Sequence, residues 1–465
     1  MTASLDIMNA ILSPIFVETP ECLRLSEVIG ALSYALDMTE GQPQGHCLRC
    51  CWIGMHIGTT MGLSQEELWD LYYTLLLKDA GCSSNAERLC QLYGHDDIDT
   101  KRNFKRVNTD RLNQLARFVF EHTAPGHGLT ERVQRFFHLL VKGERLANEL
   151  VATRCERGAQ IAKQLGFSDG VAAGIHSLDE HWNGKGRPER LVGQEIPLGS
   201  RIALLAQVVD VFYQVDSAAA TLAEIRDRKG TWFDPQVVAA FEQVAMDEGF
   251  WSGLADPAIP ERVFAMEPAG HVSYLDDDKL DAIAAAFAQV VDAKSHFTYG
   301  HSERVAQYSD LLAAQLGVNG GRRRWLRRGA LLHDIGKLGV SNAVLDKPAQ
   351  LNADEWARVR AHPRLTEEIL SHITPFRELA RVAGAHHERL DGKGYPAGIS
   401  GDAISLETRI ITTCDIFDAI TADRPYREAI PVEQALQIME NLRGRSLDDD
   451  CLDALIKCLP AFNLN

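Results

Sequence analysis

The residues best suited to chemistry stand in two clusters. One is Leu331-Leu332-His333-Asp334-Ile335-Gly336-Lys337; the other is His386-His387-Glu388-Arg389-Leu390-Asp391-Gly392-Lys393-Gly394-Tyr395-Pro396. A neutral imidazole beside a carboxylate offers nitrogen and oxygen donors from adjacent positions, and a carboxylate can bridge two cations where an imidazole does not readily do so. The paired histidines add further nitrogens. This donor set suits hydrolysis at phosphorus by two metals about 3.5–4 Å apart. A lone His-Asp pair is common by chance, so the weight rests on other segments that offer donors. His301 follows Gly300 at the start of a helical run, and His362-Pro363 opens another, with proline setting the first turn. Asp415 and Asp418, three apart, share one face of the apolar run 409–418. Acids on so apolar a face are costly unless paired or metal-bound.

The elements that must position these donors read as helices. Apolar residues recur at helical spacing at Leu25, Val28, Ile29, Leu32 and Leu36, and again at Leu280, Ile283, Phe287 and Val291. The second run opens at Asp276-Asp277-Asp278, acids that suit the positive end of a helix dipole. Strand patterns are nearly absent, so the fold class is all-α. An internal repeat divides the chain. A shift of 255 places His46 on His301, Asp79 on Asp334 and Gly81 on Gly336. A shift of 208 places Gly184-Lys185-Gly186-Arg187-Pro188 on Gly392-Lys393-Gly394-Tyr395-Pro396. The difference is an insertion in the first copy, expected within 87–150. The expected organisation is a tail over 1–20, a first domain over 21–251, a linker over 252–275 rich in Pro and Gly, and a second domain over 276–465.

Composition narrows the class. At 465 residues two or more domains are expected, and 45% hydrophobic with 24% charged residues is globular. A formal charge of −16 argues against a nucleic acid polymer or an anionic membrane as partner. Ten scattered cysteines point to reduced thiols in the cytosol. The start, through Val17, lacks a basic n-region, and no run of about 20 uncharged apolar residues appears, so a cytoplasmic location is expected.

The motifs over about 272–465 resemble the HD-GYP phosphodiesterases of the HD phosphohydrolase superfamily. The resemblance is carried by His333-Asp334-Ile335-Gly336-Lys337, His386-His387-Glu388, Asp391-Gly392-Lys393-Gly394-Tyr395-Pro396 and Asp423-Arg424-Pro425-Tyr426-Arg427, in that order. It implies a hydrolase of cyclic dinucleotides, chiefly cyclic di-GMP, with 3′3′-cyclic GMP-AMP as the alternative substrate and a non-catalytic receptor or scaffold as the alternative class. Carried over by position, His301, His333, Asp334, His362, His386, His387 and Asp415 are the implied metal ligands, with Asp334 bridging. Lys337, Arg424 and Arg427 are the implied phosphate contacts, Asp334 and Lys337 the implied catalytic residues. Iron or manganese is the expected metal. Some members take a third metal through a Glu four residues before the first histidine; here Phe297 stands there, so two metals are expected. Tyr395 reads as structural or as facing signalling partners.

The first copy keeps His46, Asp79 and Asp210 but has Lys78 for His333, Cys82 for Lys337 and Gln207 for Asp415. Arg154 stands for His362, and the paired histidines face His176-Ser177 or Leu178-Asp179, depending on a gap. A protonated lysine cannot ligate and brings positive charge where a cation would sit. This copy is therefore expected to bind no metal. Docking on the second copy, dimerising the protein and sensing a ligand all stay open for it. His46, Cys47, Cys50 and Cys51 mimic a zinc set, but Cys50 and Cys51 align with the packing positions Val305 and Ala306, and His95-Asp96 lies in a polar loop.

Overall fold

The computed structural model describes residues 23–123, 129–269, 273–423 and 427–462. Helices dominate, and among the described residues only isolated β-bridges occur. In the first half the framing helices are α1 (Leu25–Thr39), α2 (His46–Thr60), α3 (Gln65–Leu77), α4 (Asp97–Phe104), α5 (Leu129–Gln164) and α6 (Leu198–Tyr213). The second half is framed by α7 (Asp277–Asp292), α8 (His301–Gln315), α9 (Gly320–Leu332), α10 (His362–Ser371), α11 (Arg377–Gly384) and α12 (Leu406–Thr421). The repeat is exact in element bounds: α2 and α3 map onto α8 and α9 under the 255 shift, α6 onto α12 under the 208 shift. The offset changes between Gly81 and Arg154, where the first half carries α4, the helix Leu112–His122 and most of α5.

Local chemistry sets where the site-bearing helices begin. Gly45 (φ 82°) and Gly300 (φ 68°) precede α2 and α8 in left-handed conformation, which only glycine adopts cheaply, and so put His46 and His301 at the first helical position. Ser64 caps α3 by accepting from Glu67 N, and Asn319 caps α9 by accepting from Arg322 N. Leu331 and Leu332 bury the end of α9, so His333, one residue on, emerges inside the domain.

The 252–275 segment differs from the linker expected there. Residues Glu248–Leu254 and Ile259–Ala265 are helical, with Ile259 and Val263 buried. Tyr72 Oη donates to the Val263 carbonyl, and buried Glu267 accepts from Tyr73 Oη at 2.6 Å and Ser26 Oγ at 2.7 Å. Proline reads as a breaker in sequence, but Pro260 sits in the first turn of a helix, where its missing N–H costs nothing.

One apolar cluster runs through both halves. They meet with pseudo-twofold logic: α1 packs on the 3-10 turn Ile335–Gly339 and on α10, while α7 packs on the turn Cys82–Asn85 and on α5. Tyr34 of α1 stacks on His372 with ring centroids 4.4 Å apart. No described helix is long and apolar enough to cross a membrane.

Candidate metal centre and cleft

Five helices deliver the donors: His301 opens α8, His333 and Asp334 follow α9, His362 opens α10, His386 and His387 follow α11, and Asp415 lies on α12. Asp334 follows α9 and enters a tight turn that abuts the start of α10. A Cβ on Gly336 would lie 2.0 Å from the His362 carbonyl oxygen, so only glycine lets the two segments approach. Thr366 seals the contact: its hydroxyl donates to the His333 carbonyl (2.9 Å) and accepts from Gly336 N (3.1 Å).

The donors split into two lobes about Asp334. Its Oδ2 lies 3.5 Å from His301 Nε2 and 3.4 Å from His333 Nε2. Asp415 Oδ1 completes this lobe at 3.3 Å from His301 Nε2 and 3.8 Å from His333 Nε2. Asp334 Oδ1 points the other way, 3.3 Å from His362 Nε2 and 3.7 Å from His386 Nε2. His387 joins His362 and His386 in that second lobe, its donor atom within 4.8 Å of theirs. One carboxylate thus offers one oxygen to each of two imidazole clusters.

The outer nitrogens explain why the inner ones are available. His333, His362 and His386 each donate Nδ1–H to a carbonyl three residues earlier: Ala330 (2.7 Å), Val359 (2.6 Å) and Ala383 (2.6 Å). His301 donates Nδ1–H to Asp418 Oδ2 at 2.7 Å. These bonds fix the tautomer and turn each Nε2 lone pair inward, the arrangement that metal-ligating histidines need. Burial pushes His362 down to about 3 and His386 to about 4, so both are neutral, as ligation requires. Burial also opposes charge on Asp334, but Lys337 and the imidazoles outweigh it and hold the carboxyl well below the usual range. At His301 burial is again outweighed, here by Asp334, Asp415 and Asp418, which pull its pKa well up. Three carboxylates thus converge on His301, and a cation beside Asp334 and Asp415 can neutralise them in place of a proton on that ring.

Three buried atoms aimed into this space, His301 Nε2, His333 Nε2 and Asp334 Oδ1, have no hydrogen-bond partner. Buried polar atoms are rarely left so. Divalent cations fit them in donor type and in charge.

The lobes open on a cleft of about 330 Å³ lined by Asp334, Lys337, His387, Asp415, Lys294 and Phe297, with Arg427 at its edge. Lys337 Nζ pairs with Asp334 Oδ2 at 2.5 Å. Arg427 is less free than the motif suggests. Its guanidinium donates to the Ile420 carbonyl at 2.8 Å and the Ala419 carbonyl at 2.5 Å, tying down the end of α12. Arg424 lies outside the described residues. Tyr395 faces inward, its ring 4.8 Å from that of His387.

Two positioning groups escape a motif search. Asp418 accepts from His301 and is held by Arg304, whose Nε donates to Oδ1 (2.6 Å) and Nη2 to Oδ2 (2.9 Å). The signal was in the repeat, since His46, Arg49 and Asp210 form the same relay in the first half, with His46 Nδ1 to Asp210 Oδ2 at 2.6 Å and Arg49 Nε to Oδ1 at 2.6 Å. Its presence in both halves shows that the relay belongs to the fold before it belongs to any metal.

The vestigial centre answers the ambiguity in alignment. A Cβ on Gly81 would lie 1.9 Å from the Arg154 carbonyl oxygen, the counterpart of Gly336 on His362. Glu180 accepts from Glu189 N and Arg190 N as Glu388 does from Ala397 N and Gly398 N, so Leu178-Asp179 and not His176-Ser177 face the paired histidines. Cations of the chain fill the space. Lys78 Nζ is paired with Asp79 and lies 3.3 Å from Gln207 Oε1. Lys105, brought by the insertion, contacts Glu40 Oε2 at 2.8 Å and Gln207 Oε1 at 3.1 Å, and Arg154 pairs with Asp179. Cys47, Cys50 and Cys51 are buried, and His95 sits beside Asp99 while Asp96 caps α4.

Known proteins resemble this chain over most of its length. A family model described as HD domain matches residues 103–237 and 285–451. The chain belongs to the HD-domain family. A curated relative, 3′3′-cGAMP-specific phosphodiesterase 3 of Vibrio cholerae serotype O1 (strain ATCC 39315 / El Tor Inaba N16961), is 56% identical over 435 residues, 94% of each chain. The cyclic di-GMP phosphodiesterase response regulator RpfG of Xanthomonas campestris pv. campestris (strain 8004) is 40% identical over 172 residues, 37% of this chain and 46% of that one. A solved structure, the cyclic GMP-AMP specific phosphodiesterase V-cGAP3 of V. cholerae, superposes with a TM-score of 0.66 at 51% identity over 95% of this chain and 99% of that one. This HD-domain protein is an HD-GYP phosphodiesterase, an enzyme and not merely a receptor.

Proposed function

We propose that the chain hydrolyses 3′3′-cyclic GMP-AMP to its linear dinucleotide at a centre of two divalent cations, iron or manganese. The observation that carries the reaction type is the split of Asp334, one oxygen toward His301 and His333 and the other toward His362 and His386. The substrate rests on the relative that matches nearly end to end and bears that specificity in its name. This reverses the preference for cyclic di-GMP that the motifs alone suggested. Cyclic di-GMP remains the second reading, since RpfG, similar over 37% of this chain, is named a cyclic di-GMP phosphodiesterase.

In this reading His301, His333 and Asp415 would hold one cation and His362, His386 and His387 the other, with Asp334 offering an oxygen to each group. Paired divalent cations, when bound, activate water and neutralise charge growing on the phosphoryl group. The chain's own residues do the rest. The three backbone-anchored imidazoles keep their donor nitrogens turned inward. Asp418, gripped by Arg304, holds His301. Lys337, close to Asp334 at the cleft, is placed to exchange that partner for a substrate phosphate as a point charge. Phe297 lines the cleft where a third-metal carboxylate would stand, which supports a pair and not a trio. Arg427 borders the substrate while holding α12.

The test is direct. Protein loaded anaerobically with Fe(II) or Mn(II) is given each cyclic dinucleotide at equal low concentration, and the linear product is followed. Faster turnover of cyclic GMP-AMP is expected; faster turnover of cyclic di-GMP overturns the substrate reading. His333→Ala or Asp334→Ala should abolish both.

A further inference from the structure

The first half holds a second cavity, of about 190 Å³, beside the cation-filled position of its vestigial centre. Arg154 and Asp179, the counterparts of His362 and His387, line it, as does Gln207, the counterpart of Asp415. Its walls are largely apolar, with Tyr93, Leu150 and Leu204, and Phe104, 41% exposed, stands among them. Lys101, Lys105, Arg154 and Arg187 reach it; Glu40 and Asp179 line it and Asp79 stands behind, 3.6 Å from Lys105, so four cations face three carboxylates. Positive charge in such a poorly screened space favours an anion.

Polar atoms are also left unused there. Trp232 Nε1 and His181 Nδ1 are buried without a hydrogen-bond partner, in residues only 8% and 7% exposed, and both side chains line the cavity. The His181 and Trp232 rings stack at 4.0 Å, so their edges are held in fixed directions. Donors, cations and apolar walls together select a flat apolar body carrying an anionic group.

Helix α4 joins this cavity to the catalytic cleft. Thr100, Lys101 and Phe104 of α4 and the next residue, Lys105, line the cavity. At its other end, about 12 Å away for eight residues, fully buried Asp97 accepts from Ser341 Oγ (2.8 Å) and Asn342 N (2.8 Å). Lys294 Nζ lies 3.7 Å from the second Asp97 oxygen, and Lys294 lines the cleft beside Lys337. We propose that the cavity at the vestigial centre binds a small amphipathic anion, a flat apolar body with a carboxylate or phosphate, and that α4 relays its occupancy to the lip of the cleft. The proposal stands apart from the choice of substrate.

Calorimetry on the metal-loaded full chain tests the site with adenosine 5′-monophosphate and benzoate as probes, against adenosine and inorganic phosphate as controls. At least one probe should bind, and the controls should bind about tenfold more weakly or worse. Leu150→Trp, which fills the cavity, should weaken the probe about tenfold while melting temperature stays near that of the parent. Hydrogen exchange over 335–346 should change by about threefold on binding, and Asp97→Asn should bind the probe yet lose that response. Binding of neither probe, equal binding of a control, or binding unchanged by Leu150→Trp overturns the site. An unaltered exchange pattern in the bound parent overturns the relay.

Discussion

At the residue scale the candidate centre is a set of inward nitrogens made available by outward hydrogen bonds. Asp418 is the clearest case, because it touches His301 through Nδ1 and nothing in the cleft. Asp418→Ala should weaken metal affinity by about 10–100-fold, with turnover restored at high metal concentration; a variant that binds metal as the parent does would refute its positioning role. Asp210→Ala, at the matching position of the first half, should leave metal content unchanged. Lys337 offers a second test. Lys337→Ala should cut kcat/KM by about 10–100-fold, as loss of one charged contact worth about 1.5–3 kcal/mol does, while elemental analysis still finds metal. Loss of metal instead would mean that Lys337 serves Asp334 and not the phosphate.

At the element scale, two glycine contacts hold the repeat together. Gly336 and Gly81 each press against a carbonyl of the facing helix, that of His362 at the start of α10 in one half and that of Arg154 within α5 in the other. Replacing either by alanine forces the segments apart, and overpacking of this kind costs about 1–3 kcal/mol. Both variants should melt earlier in thermal denaturation. Only Gly336→Ala should also lose metal and turnover, since His362 moves with the segment; retention of full metal content would show the approach to be dispensable. Much of this element plan was legible in the chain. The shifts of 255 and 208 located the insertion, and the pattern of Leu and Ile marked the helices. Arg427 was not legible. A basic residue in a family motif reads as a phosphate contact, and only the three-dimensional end of α12 shows that carbonyls claim its donors. The 252–275 stretch misled for a related reason: prolines mark breaks, yet Pro260 occupies the one helical turn that tolerates them.

At the scale of the molecule, two copies of one architecture balance buried carboxylates in different ways. The second half has the donors for cations from outside; the first supplies Lys78, Lys105 and Arg154 from its own chain. Stripping metal from the loaded enzyme should preserve helical circular dichroism but lower the melting temperature, since a ligand at 1,000 times its Kd contributes about 4 kcal/mol. A melting temperature indifferent to metal would deny the centre any tight binding. Lys78→Ala should do the converse. It leaves buried Asp79 short of its partner at a cost of about 3–5 kcal/mol, while turnover at 25 °C stays within about twofold because the two centres share no side chain.

By itself the sequence determined the helical class and the HD-GYP family, and it singled out the candidate donors and the residues that replace them in the first copy, because each is written in residue type and period. Only the tertiary structure decided which oxygen of Asp334 faces which histidines, that Arg427 ties the backbone at the end of α12 while bordering the cleft, and that Lys105 from the insertion reaches the vestigial core. Those are matters of direction and distance between segments far apart in the chain, and no local pattern encodes where a folded backbone will turn a side chain.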